Sequence, residues 1–338
     1  MPSLRQLAKL IGVSASTVSR AMRDDPQISE ATRRRVKEFA ELYRYHPTHF
    51  LQSVIAGKSN TIGFLLPSVH SNFFSYVLEG VLERAFSESI HVITLRAGDQ
   101  FQNCLIALET FIELRVEGML LSTGYSAALP RSAVLEIWSH GIPAVRIGDT
   151  RVEAPMDQVI TDEDQAAELA IAHLYDLGHR EIAFLGHPAL SISKAVRCVM
   201  QRRGLTTAYH RSNEGDPSLR SIVDDWLALP VPPTAVFTLS DSLAVRLLQV
   251  VNNKGIRVPR EFSIMGGFDV EWISPYLTPP LTTIQHQPSE IGRQAFDLLL
   301  RRMRSGEPPS TFQPEHICIP TTLIKRASCA PPQHKRTW

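Results

Sequence analysis

Two runs of side chains have the types and spacing to do chemistry, and the chemistries differ. A helix over Ala15-Ser-Thr-Val-Ser-Arg20 would present Ala15, Ser16, Ser19 and Arg20 outward, all small, hydroxylated or cationic. Hydroxyls and a guanidinium are what hydrogen-bond base edges and phosphates in a DNA major groove. The second run, Ser191-Ile-Ser-Lys194, has Ser-x-x-Lys spacing, and Ser240-Asp-Ser242 follows later. A serine one helical turn from a lysine could begin an acyl-transfer site. No Lys-Thr-Gly follows, however, and the chain has no Gly-x-Gly-x-x-Gly, P-loop or His-Glu-x-x-His. The expectation is a protein with no catalytic residues and no cofactor. An enzyme using Ser191 and Lys194, or a cytosolic solute-binding protein, is the alternative.

The elements that would position the first run are short helices. Ser3 and Gln6 have capping-box spacing, and Leu4, Leu7, Ala8 and Ile11 recur at the helical period. Gly12 suits a helix stop, and Ser14 an N-cap for the next helix, with Val18, Ala21 and Met22 inward. A third helix is predicted from Ser29 to about Tyr43, with Val36, Phe39, Ala40 and Tyr43 inward. Three helices of roughly 45 residues are near the lower limit for a core without staples. In the next segment Pro47 stands near a helix start and Gly57 at its end. Its apolar turns are too short to stand alone in water. It is either a hinge helix formed when two chains meet DNA, or a linker folded onto the body.

Residues 1–58 hold ten Lys/Arg against five Asp/Glu, although the whole chain balances at +1. A basic head on a slightly acidic body suits a head that meets phosphate. Cys104, Cys198, Cys318 and Cys329 are far apart, and the twelve histidines form no tight cluster, so neither a zinc site nor a disulfide framework is expected. His173 and His179 are expected to serve helix and turn packing. No apolar run approaches a membrane span and no signal-peptide core opens the chain, which points to the cytoplasm.

From Thr61 the pattern alternates. Apolar runs at Ile62–Leu66, Val92–Leu95, Met119–Ser122, Ala144–Ile147, Ile182–Leu185, Ala235–Leu239 and Phe262–Met265 are separated by helical periodicity, as in Phe74–Ser89 and Glu290–Arg304. Short buried strands alternating with helices make a parallel sheet. The length favours two doubly wound lobes, with a ligand cleft at the carboxyl ends of their strands. The domains expected are a helix-turn-helix head at 1–46, a hinge at 47–58, a two-lobed α/β body at 59–326 and a disordered tail at 327–338.

Leu7-Ala8, Gly12-Val-Ser14, Thr17-Val-Ser-Arg20, Ser29-Glu-Ala-Thr-Arg33 and Tyr45-His-Pro47 together resemble the LacI/GalR transcription regulators. The likeness continues through Asn72-Phe-Phe74, Val116-Glu-Gly-Met-Leu-Leu121, Leu177-Gly-His-Arg180, Val258-Pro-Arg-Glu-Phe-Ser263, Gly267-Phe-Asp269 and Pro279-Pro-Leu-Thr-Thr283. It covers about residues 3–326. The resemblance implies a repressor acting as a homodimer on a palindromic operator. Its body would be like periplasmic sugar-binding proteins and hold a small effector, a sugar or sugar derivative, between the lobes.

Carried over residue by residue, the family's base-reading positions fall on Ala15, Ser16 and Arg20, and its phosphate contacts on Thr17, Ser19, Ser29, Thr32 and Tyr45. The hinge's minor-groove wedge falls on Val54, shorter and β-branched where Leu is usual; Val54 wedges with less kinking, or Ile55 substitutes, or the hinge suits another central sequence. In the cleft, Asp269 matches the acid that takes paired hydroxyls, and the extra glycine in Gly266-Gly267-Phe268-Asp269 suggests a bulge. Ser240 stands where many members have Asn, beside Asp241, expected to cap the following helix. Asn72, Phe73 and Trp272 are candidate pocket walls. The family's effector arginine falls on Arg197 counting from His187-Pro188, or on Ile192 counting back from Arg203-Gly204-Leu205. Arg197 is the chemically better choice.

Overall fold

Leu7, Ala8, Ile11, Val18, Ala21, Val36 and Ala40 meet in one small core, which is why three short helices close on each other. They are α1 (Leu4–Ile11), α2 (Ala15–Ala21) and α3 (Glu30–Leu42). Phe39 only borders that core; it stacks on Tyr43 with centroids 6.1 Å apart, and Tyr43 is exposed. The computed structural model describes residues 4–22, 24–43, 59–69, 71–98, 100–123, 129–148, 155–207 and 218–333. Ser3, Tyr45 and the hinge at 47–58 with Val54 and Ile55 lie outside the described residues. The chain divides into two compact units, Met1–Asn60 and Thr61–Trp338.

In the second unit the described residues form two sheets. The first contains β1 (Thr61–Leu66), β2 (His91–Arg96), β3 (Gly118–Leu121), β4 (Ala144–Ile147), β5 (Asp157–Thr161) and β10 (His316–Ile319), in the order β10-β5-β4-β3-β1-β2, with every pairing parallel. The second contains β6 (Ile182–Leu185), β7 (Ala235–Thr238), β8 (Ser263–Gly266), β9 (Thr282–Gln285) and β11 (Thr322–Ile324), in the order β11-β9-β8-β7-β6. Only β11 runs antiparallel there. Strands β3, β6, β7 and β8 are buried at every residue, as apolar strands covered by helices on both faces must be. The seven apolar runs all fall on strands; β5, β9, β10 and β11 were not expected.

The helices of this unit are α4 (Asn72–Ser87), α5 (Phe101–Glu113), α6 (Arg131–Ser139), α7 (Glu163–Asp176), α8 (Ser191–Arg202), α9 (Leu219–Leu227), α10 (Asp241–Asn253) and α11 (Pro288–Ser305). Among the described residues no helix is long and apolar enough to cross a membrane. Helices α4 and α11 approach closely through two glycines. A Cβ on Gly80 would sit 2.0 Å from Ser289 O, and one on Gly292 would sit 2.1 Å from Val77 O. Arg84 Nε donates to Asp297 Oδ1 (2.8 Å) along the same seam.

The chain passes between the sheets three times, after β5, after β9 and after β10. These crossings bind one another: Gln287 Nε2 donates to Pro320 O (3.0 Å), and Thr321 N donates to Gln165 Oε1 (2.7 Å) at the start of α7.

The expected disordered tail from Ala327 is corrected for 327–333. Ser328 is 1% exposed; its hydroxyl donates to Ile264 O (2.5 Å) and accepts from Thr282 N (2.8 Å). Ala330 N donates to Ser263 Oγ (3.1 Å), and Ala330 O lies 3.0 Å from the buried His179 Nε2. The tail's polar atoms thus satisfy β8 and β9, a role its Pro-rich composition does not reveal.

Candidate functional site

On the head, α2 is fixed by its own first turn. Ser14, in extended backbone, accepts from Thr17 N (3.0 Å), and its hydroxyl also contacts Ser16 Oγ (2.7 Å) and Thr17 Oγ1 (2.8 Å). Ser29 caps α3 in the same way, accepting from Thr32 N (3.3 Å) with Thr32 Oγ1 2.8 Å away. Ser29 is therefore a capping residue, and Thr17 and Thr32 supply the amides that the caps Ser14 and Ser29 accept from, whatever else they touch. Ser16 is exposed, and Ala15, Ser19 and Arg20 are half-buried. The structure thus brings Ser16 and Arg20 to one accessible helix. It also adds two residues the sequence did not single out: Arg20 Nε donates to Asp25 Oδ2 (2.8 Å), and Nη2 donates to Gln27 Oε1.

In the body, a cavity of about 460 Å³ lies between the two sheets. That is within the ~300–1,000 Å³ usual for small-ligand sites. Asn72 and Phe73 at the start of α4, with Gln158, Ile160 and Thr161 of β5, line it from one lobe. His187, Ser191, Ile192, Phe237, Ser240 and Phe268 line it from the other, and His286 of the second crossing completes it. Phe73 meets Phe268 edge-on (5.9 Å, 67°), and Phe268 stacks on His286 (5.8 Å, 22°). Burial holds the His286 imidazole down at about 4, so it is neutral at pH 7. The Ala189 amide donates to His187 Nδ1 (3.1 Å). Among the described residues lining the cavity, Glu163 and Asp241 are acidic and none is Lys or Arg.

Asp241 organises the segment after β8. Fully buried, it accepts from Phe268 N (3.1 Å), Val270 N (2.8 Å), Thr283 Oγ1 (2.7 Å) and Ser274 Oγ. The helix cap is not Asp241 but Ser240, which accepts from Leu243 N (3.3 Å). The two glycines before Phe268 are both required by close approach. A Cβ on Gly266 would sit 2.1 Å from Asp241 Oδ1, and one on Gly267 would sit 2.6 Å from Leu239 O.

Of the expected effector residues, Asn72, Phe73 and Ser240 line the cavity. Three others are placed elsewhere. Arg197 is exposed on α8, while Ile192 lines the cavity, so the helix phase follows the count from Arg203. Trp272 is 62% exposed and outside the lining. Asp269, in left-handed backbone (φ 56°), turns to Arg326 Nη1 (2.7 Å) and accepts from Gln285 Nε2 (3.2 Å). Lys194 is exposed while Ser191 lines the cavity, an arrangement that does not assemble a nucleophile and its base. Among the described residues no group of His, Cys, Asp and Glu is placed to hold a metal ion. Phe268 and His286 are not among the expected residues, and Ile192 is the position that the alternative count gives in place of Arg197.

Comparison with known proteins agrees with this architecture. The family model described as "Bacterial regulatory proteins, lacI family" matches residues 3–48, and "Periplasmic binding protein-like domain" matches residues 171–329. The transcriptional repressor CytR of Escherichia coli K12 is 30% identical over 314 residues, covering 89% of this chain and 90% of that protein. The ribose operon repressor of the same organism is 28% identical over 340 residues, covering 97% of this chain and all of that protein. A solved structure of the lac repressor dimer, bound to operator and the anti-inducer ONPF, shares the fold with a TM-score of 0.81 at 22% identity, over 97% of this chain and 99% of that one. A three-helix head, a two-lobed body with a cavity between its sheets and relatives that are repressors rather than enzymes place the chain in the LacI family of bacterial transcription regulators.

Proposed function

We propose that this regulator is a cytoplasmic repressor that binds a palindromic operator as a homodimer and is controlled by a small molecule in the cleft. The observation that carries the reading is one chain joining an accessible helix that bears Ser16 and Arg20 to a body with a ligand-sized cavity. Arg20 forks onto guanine O6/N7, Ser16 hydrogen-bonds a base edge and Ala15 offers its methyl. Thr17, Ser19, Ser29, Thr32 and Tyr45 meet phosphates and set register, and Val54 wedges the minor groove between half-sites. Dimer formation is supported by large apolar side chains on α4, where Leu82 and the 89%-exposed Phe86 face solvent. The lac repressor with which the chain shares its fold is a dimer on operator DNA.

The effector is a sugar or sugar derivative. The Phe73 and Phe268 rings suit the C–H face of a ring, while Asn72, Gln158 and Ser240 offer partners for hydroxyls. Asp269 acts by holding the Phe268 loop through Arg326, while Arg197 and Trp272 lie outside the cavity lining. Ligand binding controls DNA only if it favours one arrangement of the lobes over another.

The test is selection of bound duplexes from a random pool by the full chain, followed by titration of the recovered duplex with D-ribose, nucleosides and cellobiose. A two-fold symmetric site whose affinity shifts at least tenfold with one of these is expected. Recovery of no symmetric site, even with cell extract added as an effector source, would sink the reading.

A further inference from the structure

We propose that Asp25 and Gln27, in the turn between α2 and α3, are positioning residues that aim the Arg20 guanidinium at guanine. The inference rests on the reading of Arg20 as a base-contacting side chain. A guanidinium is planar, with its N–H donors in fixed directions. Arg20 spends one edge on the turn, Nε to Asp25 Oδ2 (2.8 Å) and Nη2 to Gln27 Oε1. Recognition of guanine O6 and N7 takes two parallel donors. With the Nε edge engaged, the Nη1 and Nη2 protons at the tip are that pair.

The anchor is itself anchored. Asp25 Oδ1 accepts from Gln27 N (2.9 Å), so one carboxylate ties the turn's backbone to the arginine. The neighbouring Asp24, in left-handed backbone (φ 57°), fastens the turn to α3: Lys37 Nζ donates to its Oδ1 (2.6 Å), and Arg33 Nη1 donates to its carbonyl (3.0 Å). The Arg20 side chain is 40% exposed, within reach of a ligand yet held before one arrives. Ordering a long side chain at an interface weakens binding by about 2- to 10-fold, and here the ordering precedes binding. The carboxylate also offsets the arginine's charge. The turn therefore favours base reading over general attraction to phosphate, and the two respond to mutation in opposite directions.

The test uses the full chain and a duplex selected from a random pool, with single-base-pair variants and a scrambled duplex, read by competitive fluorescence anisotropy. Arg20→Ala is expected to lose discrimination at one base pair per half-site by about 5- to 150-fold. Asp25→Ala is expected to narrow discrimination at that same pair by about 3- to 10-fold, while scrambled-duplex affinity holds or rises. Asp25→Asn keeps one acceptor oxygen, enough for Arg20 or for Gln27 N but not both, and should fall between Asp25→Ala and the parent. Gln27→Ala should lose about 2- to 3-fold at the same pair, one neutral acceptor being gone. Equal loss on selected and scrambled duplexes would reduce Asp25 to a turn former and overturn the proposal. A gain in both operator affinity and discrimination on Asp25→Ala would mean that the ion pair competes with DNA, and would also overturn it. If Arg20→Ala leaves discrimination intact at every pair, the base-reading role itself fails, a distinct result from failure of Asp25→Ala alone.

Discussion

The polar contacts that shape the α2 face span two to seven residues of chain, from Ser14–Ser16 to Arg20–Gln27. Those that shape the cleft span far more: Asp241 takes donors 27 to 42 residues away, and Arg326 reaches back to Asp269. The same task, fixing a few side chains for a ligand, is thus done locally in one unit and by the whole fold in the other. A local site can lose a ligand-contacting side chain without losing its scaffold. In a non-local site, the buried carboxylate is the scaffold.

Asp241→Ala should produce the largest effect. It removes a fully buried acceptor and leaves the Phe268 and Val270 amides and two hydroxyls without it. Charged hydrogen bonds are each worth about 1.5–3 kcal/mol, so the body should lose about 3 kcal/mol or more. All four tryptophans lie outside residues 1–60, so urea unfolding followed by tryptophan fluorescence reports on the body. Arg20→Ala should leave that curve within about 0.5 kcal/mol, as half-exposed substitutions usually do. A loss below about 1 kcal/mol for Asp241→Ala would break the contrast, because the Phe268 loop would then be held by something else.

Next comes pH. His286 titrates near its ordinary 6.5 when unfolded and at about 4 in the folded body, where burial opposes its charge. Between those values the unfolded chain binds the extra proton, so stability rises with pH through the window and falls as the solution is acidified. Of this, about 1.5 kcal/mol should be lost between pH 6.5 and 5, and His286→Gln should remove that part of the slope. Parallel pH profiles for parent and variant would show that the crossing at His286 is wetter than its packing on Phe268 and beside Thr161 implies.

This difference in range also explains what could be read in advance. Leu7, Ala8, Ile11, Val18 and Ala21 declare the head core by helical spacing alone, and the uniformly buried β3, β6, β7 and β8 declare the sheets by their apolar runs. Strand β9 was hidden because it is rich in threonine. Thr282 and Thr283 are fully buried only because distant partners, Arg326 N and Asp241, complete their hydroxyls. Strand β5 was hidden likewise: Asp157 looks like a surface residue until Arg302, 145 residues away, meets both carboxylate oxygens at 2.8 and 2.9 Å. Arg197 failed for a related reason. Its chemistry suited the cleft, but the phase of α8, set by Val196, Val199 and Met200 packing into the core, turns Ile192 inward and Arg197 outward. Charge and motif cannot report a helix phase that packing decides.

The smallest effect should come from the most local contact. Ser14→Ala removes the α2 cap to Thr17 N and the hydroxyl that touches Ser16 and Thr17. Loss of such a cap costs about 1 kcal/mol. Frayed at its start, α2 would present Ser16 less often in the orientation that reads DNA, so operator affinity should fall by up to about 5-fold at 1 kcal/mol. The tryptophan-detected curve should not move, because the core that α2 joins is confined to residues 7–40. Ser14→Asp, which retains a side-chain acceptor and adds a negative charge near the helix N-terminus, should restore the head's stability. It should not restore DNA affinity fully, since that charge would also face phosphate. Stability and affinity recovering together would place Ser14 away from the DNA-facing surface and confine that surface to the Ser16–Arg20 side of α2.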